Sequence, residues 1–288
     1  MLFFFSFRFM SRFVLKCLPG IGDSLPSLSP DACSALLLLR VVIRDATIVL
    51  EPSAQTPTPI LTLPDETRTA LRGLPEIIAW TLRSNPSHEL DALGRHLLSW
   101  TRSTLTPSIL YLLFGTDYYG EVTRRVIYAG TGWGAYFQGA AATARTVSLG
   151  TAQRSGILCE ASARKALSIY LNDLRGILPI SRTSSLVVDA VIAGQLMVLH
   201  RVPWKGSDSI LLKGQDDVTR SFVDRVALQA DWVRTWPPLE SFDSTGRWAV
   251  IGTTCVVAVL YFVSINLDAF TVVGTEEEAL PQENLKKE

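Results

Sequence analysis

LPSLSPDACSALLLL, residues Leu25–Leu39, decides how the rest of the chain is organised. Its first half resists regular structure, because Pro26 and Pro30 each lack a backbone donor. Its second half starts a helix. Ser29 is placed to cap the first free N–H groups, Pro30 suits the first helical position, and Asp31 sits where the helix dipole favours an acid. The apolar run ACSALLLLRVV then carries the helix to about Val42. Upstream, Phe13–Leu18 reads as a short strand, broken by Pro19, Gly20 and Gly22. Downstream, Ala46–Glu51 (ATIVLE) is a second strand, and Ile60–Leu63 is a third, reached through Pro57 and Pro59. Gly73-Leu74-Pro75 leads into a helix over Glu76–Arg83, stopped by Asn85-Pro86. Strand, helix, strand, strand, helix within residues 12–86 is an α/β order.

From His88 the period changes to that of helices. Leu90, Leu93, Leu97, Leu98 and Leu105 recur at helical spacing, and Thr106-Pro107 opens a further helix, Ser108–Phe114, ending at Gly115. Residues 130–150 are rich in Gly and Ala and read as a loosely packed helix pair or a linker. Glu160–Leu178 is amphipathic, with Leu167, Tyr170, Leu171, Leu174, Ile177 and Leu178 on one face. Leu186–Leu199 (LVVDAVIAGQLMVL) is apolar almost all round, the pattern of a bundle's central helix, with Asp189 near its start. Asp216–Val233 closes an all-helical region spanning residues 87–235.

A Pro/Ser/Gly-containing linker, residues 236–247, then leads to Trp248–Leu267, WAVIGTTCVVAVLYFVSINL, which carries no charge. At 1.5 Å per residue it reaches roughly 30 Å, the thickness of a bilayer's hydrocarbon core. Trp248 and Tyr261 supply interfacial aromatics, and Gly252, Thr253, Thr254 and Ala258 leave room for close packing. A buried core helix is the competing reading; the length and the absence of charge favour a membrane anchor ending at Leu267. Arg234 and Arg247 precede the span, and an acidic tail, residues 268–288, follows it. That asymmetry favours a cytosol-facing body. Residues 1–11 read as a targeting extension or as extra residues before a start at Met10. Their order of charge and apolar run is wrong for a secretory signal.

Charged residues are 19% and the formal net charge is zero, so no electrostatic footprint for nucleic acid is present. Cys17, Cys33, Cys159 and Cys255 are scattered, with no CxxC or Cys/His cluster, which implies neither structural disulfides nor a metal site.

Four stretches carry a resemblance. LPSLSPDACSALLLL, RGLPEIIAWTLRSNP (Arg72–Pro86), HLLSWTRSTLTPSILYLLFGTDYYGEVTRRVIYAG (His96–Gly130) and SSLVVDAVIAGQLMVL (Ser184–Leu199) resemble segments of the metaxins and related receptor subunits of the mitochondrial sorting and assembly machinery. These are a branch of the glutathione-transferase-like proteins, and the likeness runs from Phe13 to Val233. It implies a thioredoxin-like N-terminal domain at 12–86, a helical C-terminal domain at 87–235 and a C-terminal transmembrane helix. Pro59 falls where thioredoxin-like folds carry a cis-proline loop, although a trans turn residue fits too. One departure is plain: the family's compact Ser-Leu-Asp-Ala becomes Ser185-Leu186-Val187-Val188-Asp189, which loses the capping-box spacing.

A glutathione transferase needs a hydroxyl or thiol where the first strand meets the first helix, to hold a thiolate. No tyrosine precedes Tyr111. Ser24, Ser27, Ser29 and Cys33 are the candidates by location, with Ser29 better read as an N-cap and Cys33 as a buried core thiol. Other signals are weaker. Gly130-Thr131-Gly132-Trp133-Gly134 lacks phosphate-loop spacing, Ser162 and Lys165 form a chance Ser-x-x-Lys, and His88, His96 and His200 are lone. Trp133-Gly134 with an anchor suggests a Bcl-2-type regulator, which the strand-rich first third argues against.

The expectation is therefore a non-enzymatic subunit without catalytic, cofactor or metal residues, anchored in the mitochondrial outer membrane with its body in the cytosol. The resemblance implies partners in a β-barrel assembly core protein and a second metaxin-like subunit, and a role in inserting β-barrel precursor proteins. The alternative is a membrane-anchored glutathione transferase using Ser24 or Ser27. The acidic tail leaves the endoplasmic reticulum open as the membrane.

Overall fold

The computed structural model describes residues 12–21, 25–43, 47–53, 57–65, 68–131, 139–178, 185–202, 204, 217–230, 256–257 and 260–261. The chain divides into two compact units, Met1–Leu239 and Glu240–Glu288.

In the first unit, strands β1 (Arg12–Cys17), β2 (Thr47–Pro52), β3 (Ile60–Thr62) and β4 (Ala70–Arg72) form one mixed sheet in the order β2-β1-β3-β4. β1 and β2 run parallel, with Arg12 opposite Thr47 and Cys17 opposite Pro52; β3 is antiparallel to both β1 and β4. The period-2 alternation of a strand places Phe13, Leu15 and Cys17 on one face, and all three are buried. Parallel pairing of β1 and β2 requires a crossover, supplied by helix α1 (Pro30–Val42). β4 is an element that the sequence reading lacks. Three residues in the pattern exposed, buried, exposed are too few for a periodicity to register.

Helix α1 begins as its sequence dictates: Ser29 is extended (φ −82°, ψ 117°) and its hydroxyl accepts from the Ala32 N–H at 3.4 Å. Helix α2 (Leu74–Ser84) has no side-chain cap; Gly73, at φ 82°, makes the turn into it, in the left-handed region that glycine adopts without strain. The peptide bond before Pro59 is trans, as are all described bonds.

The remaining elements are helical. α3 (Ala92–Trp100) is capped by Asp91, whose carboxylate accepts from Gly94 N at 2.6 Å. It does not stop before Thr106-Pro107. A π turn, Thr101–Leu105, links it directly to α4 (Thr106–Gly115). Pro107 cannot supply an N–H, and the wider turn closes instead through Thr106 N to Thr101 O. A second π turn, Tyr119–Thr123, leads into α5 (Arg124–Thr131). Within the Gly/Ala-rich 130–150 stretch, a single helix, α6 (Ala140–Arg154), is described from Ala140 onward. α7 (Glu160–Ile177), α8 (Leu186–Arg201) and α9 (Asp217–Gln229) complete the unit.

α8 is the central helix expected: every residue from Ala190 to Leu199 is buried. Each fully buried Leu or Val there contributes about 1.5–3 kcal/mol. Its N-cap, Ser185, makes no side-chain capping bond, and its hydroxyl is buried without a hydrogen-bond partner. The missing capping-box spacing therefore has a structural counterpart.

In the second unit, Val256, Val257, Leu260 and Tyr261 are helical and more than half exposed. The rest of the span 248–267, including Trp248, Gly252, Thr253, Thr254, Ala258 and Leu267, lies outside the described residues. Among the described residues no helix is long and apolar enough to cross a membrane.

Candidate functional site

The turn between β1 and α1 is where this topology brings the end of a strand, the start of a helix and the helical region together. Pro19 and Gly20 fold the chain back tightly: Leu28 N donates to Pro19 O at 3.0 Å, and Ile21 and Leu25 exchange bonds of 2.8 and 3.2 Å. A Cβ on Gly20 would meet Leu25 O at 1.9 Å, so this position accepts only glycine. From the other side comes α5, where a Cβ on Gly130 would lie 2.2 Å from Pro19 Cβ. The turn is thus clamped by the helix against it.

The candidate nucleophiles here are occupied. Ser27 is 1% exposed; its hydroxyl donates to Leu18 O at 2.6 Å and accepts from Ser29 N at 3.0 Å. Ser29, equally buried, caps α1 and donates to Pro57 O at 2.5 Å, tying the helix to the loop before β3. Cys33 is fully buried and its thiol donates to Ser27 O at 3.2 Å. Burial raises its pKa well above the ordinary thiol range, and it pushes that of Cys17, at the end of β1, up to about 12. Neither sulfur is a thiolate near neutral pH, and a thiol is a poor nucleophile. Ser24 lies outside the described residues.

The other sequence candidates are dispersed. Ser162 is a capping residue: its hydroxyl accepts from Leu158 N and Cys159 N at 3.2 and 3.1 Å and donates to Cys159 O at 2.7 Å. His96 is exposed on α3, and His88 ends a short 3-10 turn after α2. His200 is within 3.0 Å of the Thr219 hydroxyl and joins α8 to α9. Thr131 ends α5, and Gly132 to Gly134 are outside the described residues. No group of three or more His, Cys, Asp or Glu side chains is placed to hold a metal ion among the described residues.

One cluster escaped the sequence reading. On α8, Gln195 is fully buried; its amide donates to Asp31 Oδ1 at 2.9 Å and its carbonyl accepts from Thr106 Oγ1 at 3.0 Å. Beside it the Ser34 hydroxyl donates to Val191 O at 2.7 Å, and a Cβ on Gly194 would meet Ser34 Cα at 2.3 Å. α1 and α8 therefore cross in backbone contact, joined by polar groups. A glutamine in the middle of an otherwise apolar helix was the available signal, because a buried amide demands partners.

A groove of about 530 Å³ lies elsewhere, between the end of α7 and the start of α9, lined by Leu178, Asp217, Val218, Ser221, Phe222 and Arg225.

No protein-family model matches the chain, and no curated protein matches it in sequence. Among solved structures, the glutathione transferase GSTFuA3 from Phanerochaete chrysosporium is similar, with a TM-score of 0.51 and 12% identity. The match covers 76% of this chain and 98% of that one. The fold is glutathione-transferase-like.

Proposed function

We propose that this chain is a non-enzymatic, membrane-anchored subunit of the metaxin type, assisting the insertion of β-barrel precursors at the mitochondrial outer membrane with its body in the cytosol. The observation that carries the non-enzymatic part is the state of the β1–α1 turn. Ser27 and Ser29 commit their hydroxyl protons to Leu18 O and Pro57 O, and Pro19 is packed onto Gly130. A hydroxyl committed to a buried carbonyl does not hold a thiolate. The metaxin-like segments read in the sequence supply the assembly role, and fold alone does not. The exposed apolar side chains of Val256, Val257, Leu260 and Tyr261, all four in helical conformation, support an anchor there. The partners are a barrel-forming core protein and a second subunit of the same fold.

The test is a mild-detergent pull-down of the tagged full-length chain from isolated mitochondria, with the co-purifying proteins identified. Recovery of a β-barrel assembly core is the expected result. A chain that comes down alone, or is absent from mitochondria, defeats the assignment.

The likeness to a glutathione transferase keeps a second reading in play, an anchored transferase using Ser24. It requires turnover with a thiol-transfer substrate that Ser24→Ala abolishes; the assembly reading expects none above background.

A further inference from the structure

Arg145 on α6 is held in place by the fold itself. Its Nε donates to Phe114 O at 2.9 Å, one of the carbonyls that the C-terminal end of α4 leaves without a helical partner. Its guanidinium carbon lies 4.5 Å from the centre of the Tyr119 ring. Capping α4 uses Nε alone. The two terminal nitrogens stay outside that bond, and their fork is already oriented, so little rotamer freedom is lost when they take an oxyanion.

The second π turn brings up another guanidinium. Arg124 N donates to Tyr119 O across the turn, and Tyr128 follows one helical turn later, so Tyr119, Arg124 and Tyr128 share one side of the helix. Arg124 is exposed; Tyr119 is only 9% exposed, and its hydroxyl has no hydrogen-bond partner among the described residues. Burial raises the pKa of that phenol most, the field of Tyr128 adds to it, and those of Arg145 and Arg124 work against it. The hydroxyl is therefore a proton donor at neutral pH, with two cations near it. Neither arginine is in an ion pair among the described residues. Nor does the chain between them supply a counter-charge: from Glu121 to Glu160 there are four arginines and no further acid. Asp117 and Glu121 are each two residues from Tyr119, a spacing that turns side chains to other sides of a helix.

We propose that Arg124, Arg145 and Tyr119 form a binding site for a phosphate monoester group. Two guanidinium charges exceed what one carboxylate or one phosphodiester balances, whereas a monoester carries about −1.5 to −2 near neutral pH. Its three acceptor oxygens match two guanidinium forks and one phenol. Inorganic phosphate and the headgroup of phosphatidic acid present the same chemistry.

Calorimetric titration of the full-length chain, in nonionic detergent and a phosphate-free buffer, tests this with inorganic phosphate, dihexanoyl phosphatidic acid and dihexanoyl phosphatidylcholine as probes. The first two should bind and the third should not. Tighter binding of phosphatidic acid identifies a lipid as the source of the group, and tighter binding of inorganic phosphate identifies the free ion. Arg124→Gln and Tyr119→Phe each remove a hydrogen bond to a charged group, so affinity should fall roughly tenfold to a hundredfold. Arg154, nine residues after Arg145, lies on the far side of α6, and Arg154→Gln should bind as the unaltered chain does. A chain that binds neither phosphate probe overturns the proposal, as does an affinity that Arg154→Gln lowers as much as Arg124→Gln. Hexaglutamate bound through Arg124 more tightly than either phosphate also overturns it, and makes this face a dock for acidic protein segments. Arg124 is exposed, so Arg124→Gln decides the matter if Tyr119→Phe does not fold.

Discussion

Ser27 makes the sharpest distinction between a catalytic and an architectural reading of the β1–α1 turn. Its hydroxyl satisfies Leu18 O and Ser29 N in a place that water does not reach. Removing it in Ser27→Ala leaves a buried carbonyl and a buried N–H without partners, a loss of about 1–3 kcal/mol. For a body of this size the melting temperature should drop by about 2–4 °C for each kcal/mol. Thermal unfolding of the full-length chain with and without the substitution checks this. A chain that melts normally but loses a thiol-transfer activity would make Ser27 a catalytic residue instead. The same residue shows where sequence reading stops. Proline, serine and aspartate around position 29 announce a helix start through local rules, and Ser29 obeys them. What Ser27 and Ser29 donate to, Leu18 O and Pro57 O, is fixed by non-local packing that no local pattern encodes.

Helices that look alike in composition differ in how closely they are approached, and glycine substitutions separate the cases. Gly194 in α8 lies against the backbone of α1, where an added Cβ would come within 2.4 Å of Ser34 N. Backbone cannot rotate aside, so Gly194→Ala should force the two helices apart at a cost of about 1–3 kcal/mol. Gly150 in α6 has nothing within 4 Å of the same hypothetical atom. Gly150→Ala should stabilise by about 0.5–1 kcal/mol, because alanine loses less backbone freedom on entering a helix. Denaturant midpoints that move in opposite directions for the two variants confirm this ordering; movement in the same direction refutes the packing of α1 on α8. Periodicity found both helices, since apolar spacing is a property of one element. It also yielded the sheet's first three strands, but not β4, whose three residues span barely one alternation. The π turns were invisible for another reason. Thr106-Pro107 is a standard helix-start signal, and only the wider hydrogen-bonded turn at Thr101 lets the chain continue through it.

For the molecule as a whole, Met1–Leu239 and Glu240–Glu288 are two separate compact units. The first has a sheet and a buried helical core of its own, which is what folding in water requires. The second has, among its described residues, apolar side chains at Val256, Val257, Leu260 and Tyr261 that are 58–67% exposed. Four such side chains are unfavourable in water, where each buried CH₂ is worth about 0.8 kcal/mol, and favourable in hydrocarbon. If the bilayer is what covers them, the membrane attachment of the chain resides in residues 240–288 and nowhere else. Truncation after Leu239 should then leave a body that partitions to the aqueous phase on alkaline extraction of membranes, while the full-length chain remains with the lipid. Combining Val257→Asp with Leu260→Asp should release the full-length chain as well, since two charges near the middle of a span each cost about 2.5–3.5 kcal/mol to insert. A truncated body that stays in the lipid fraction would place the attachment on the glutathione-transferase-like unit instead. A double variant that remains inserted would mean that the side chains of Val257 and Leu260 are covered by protein and not by lipid.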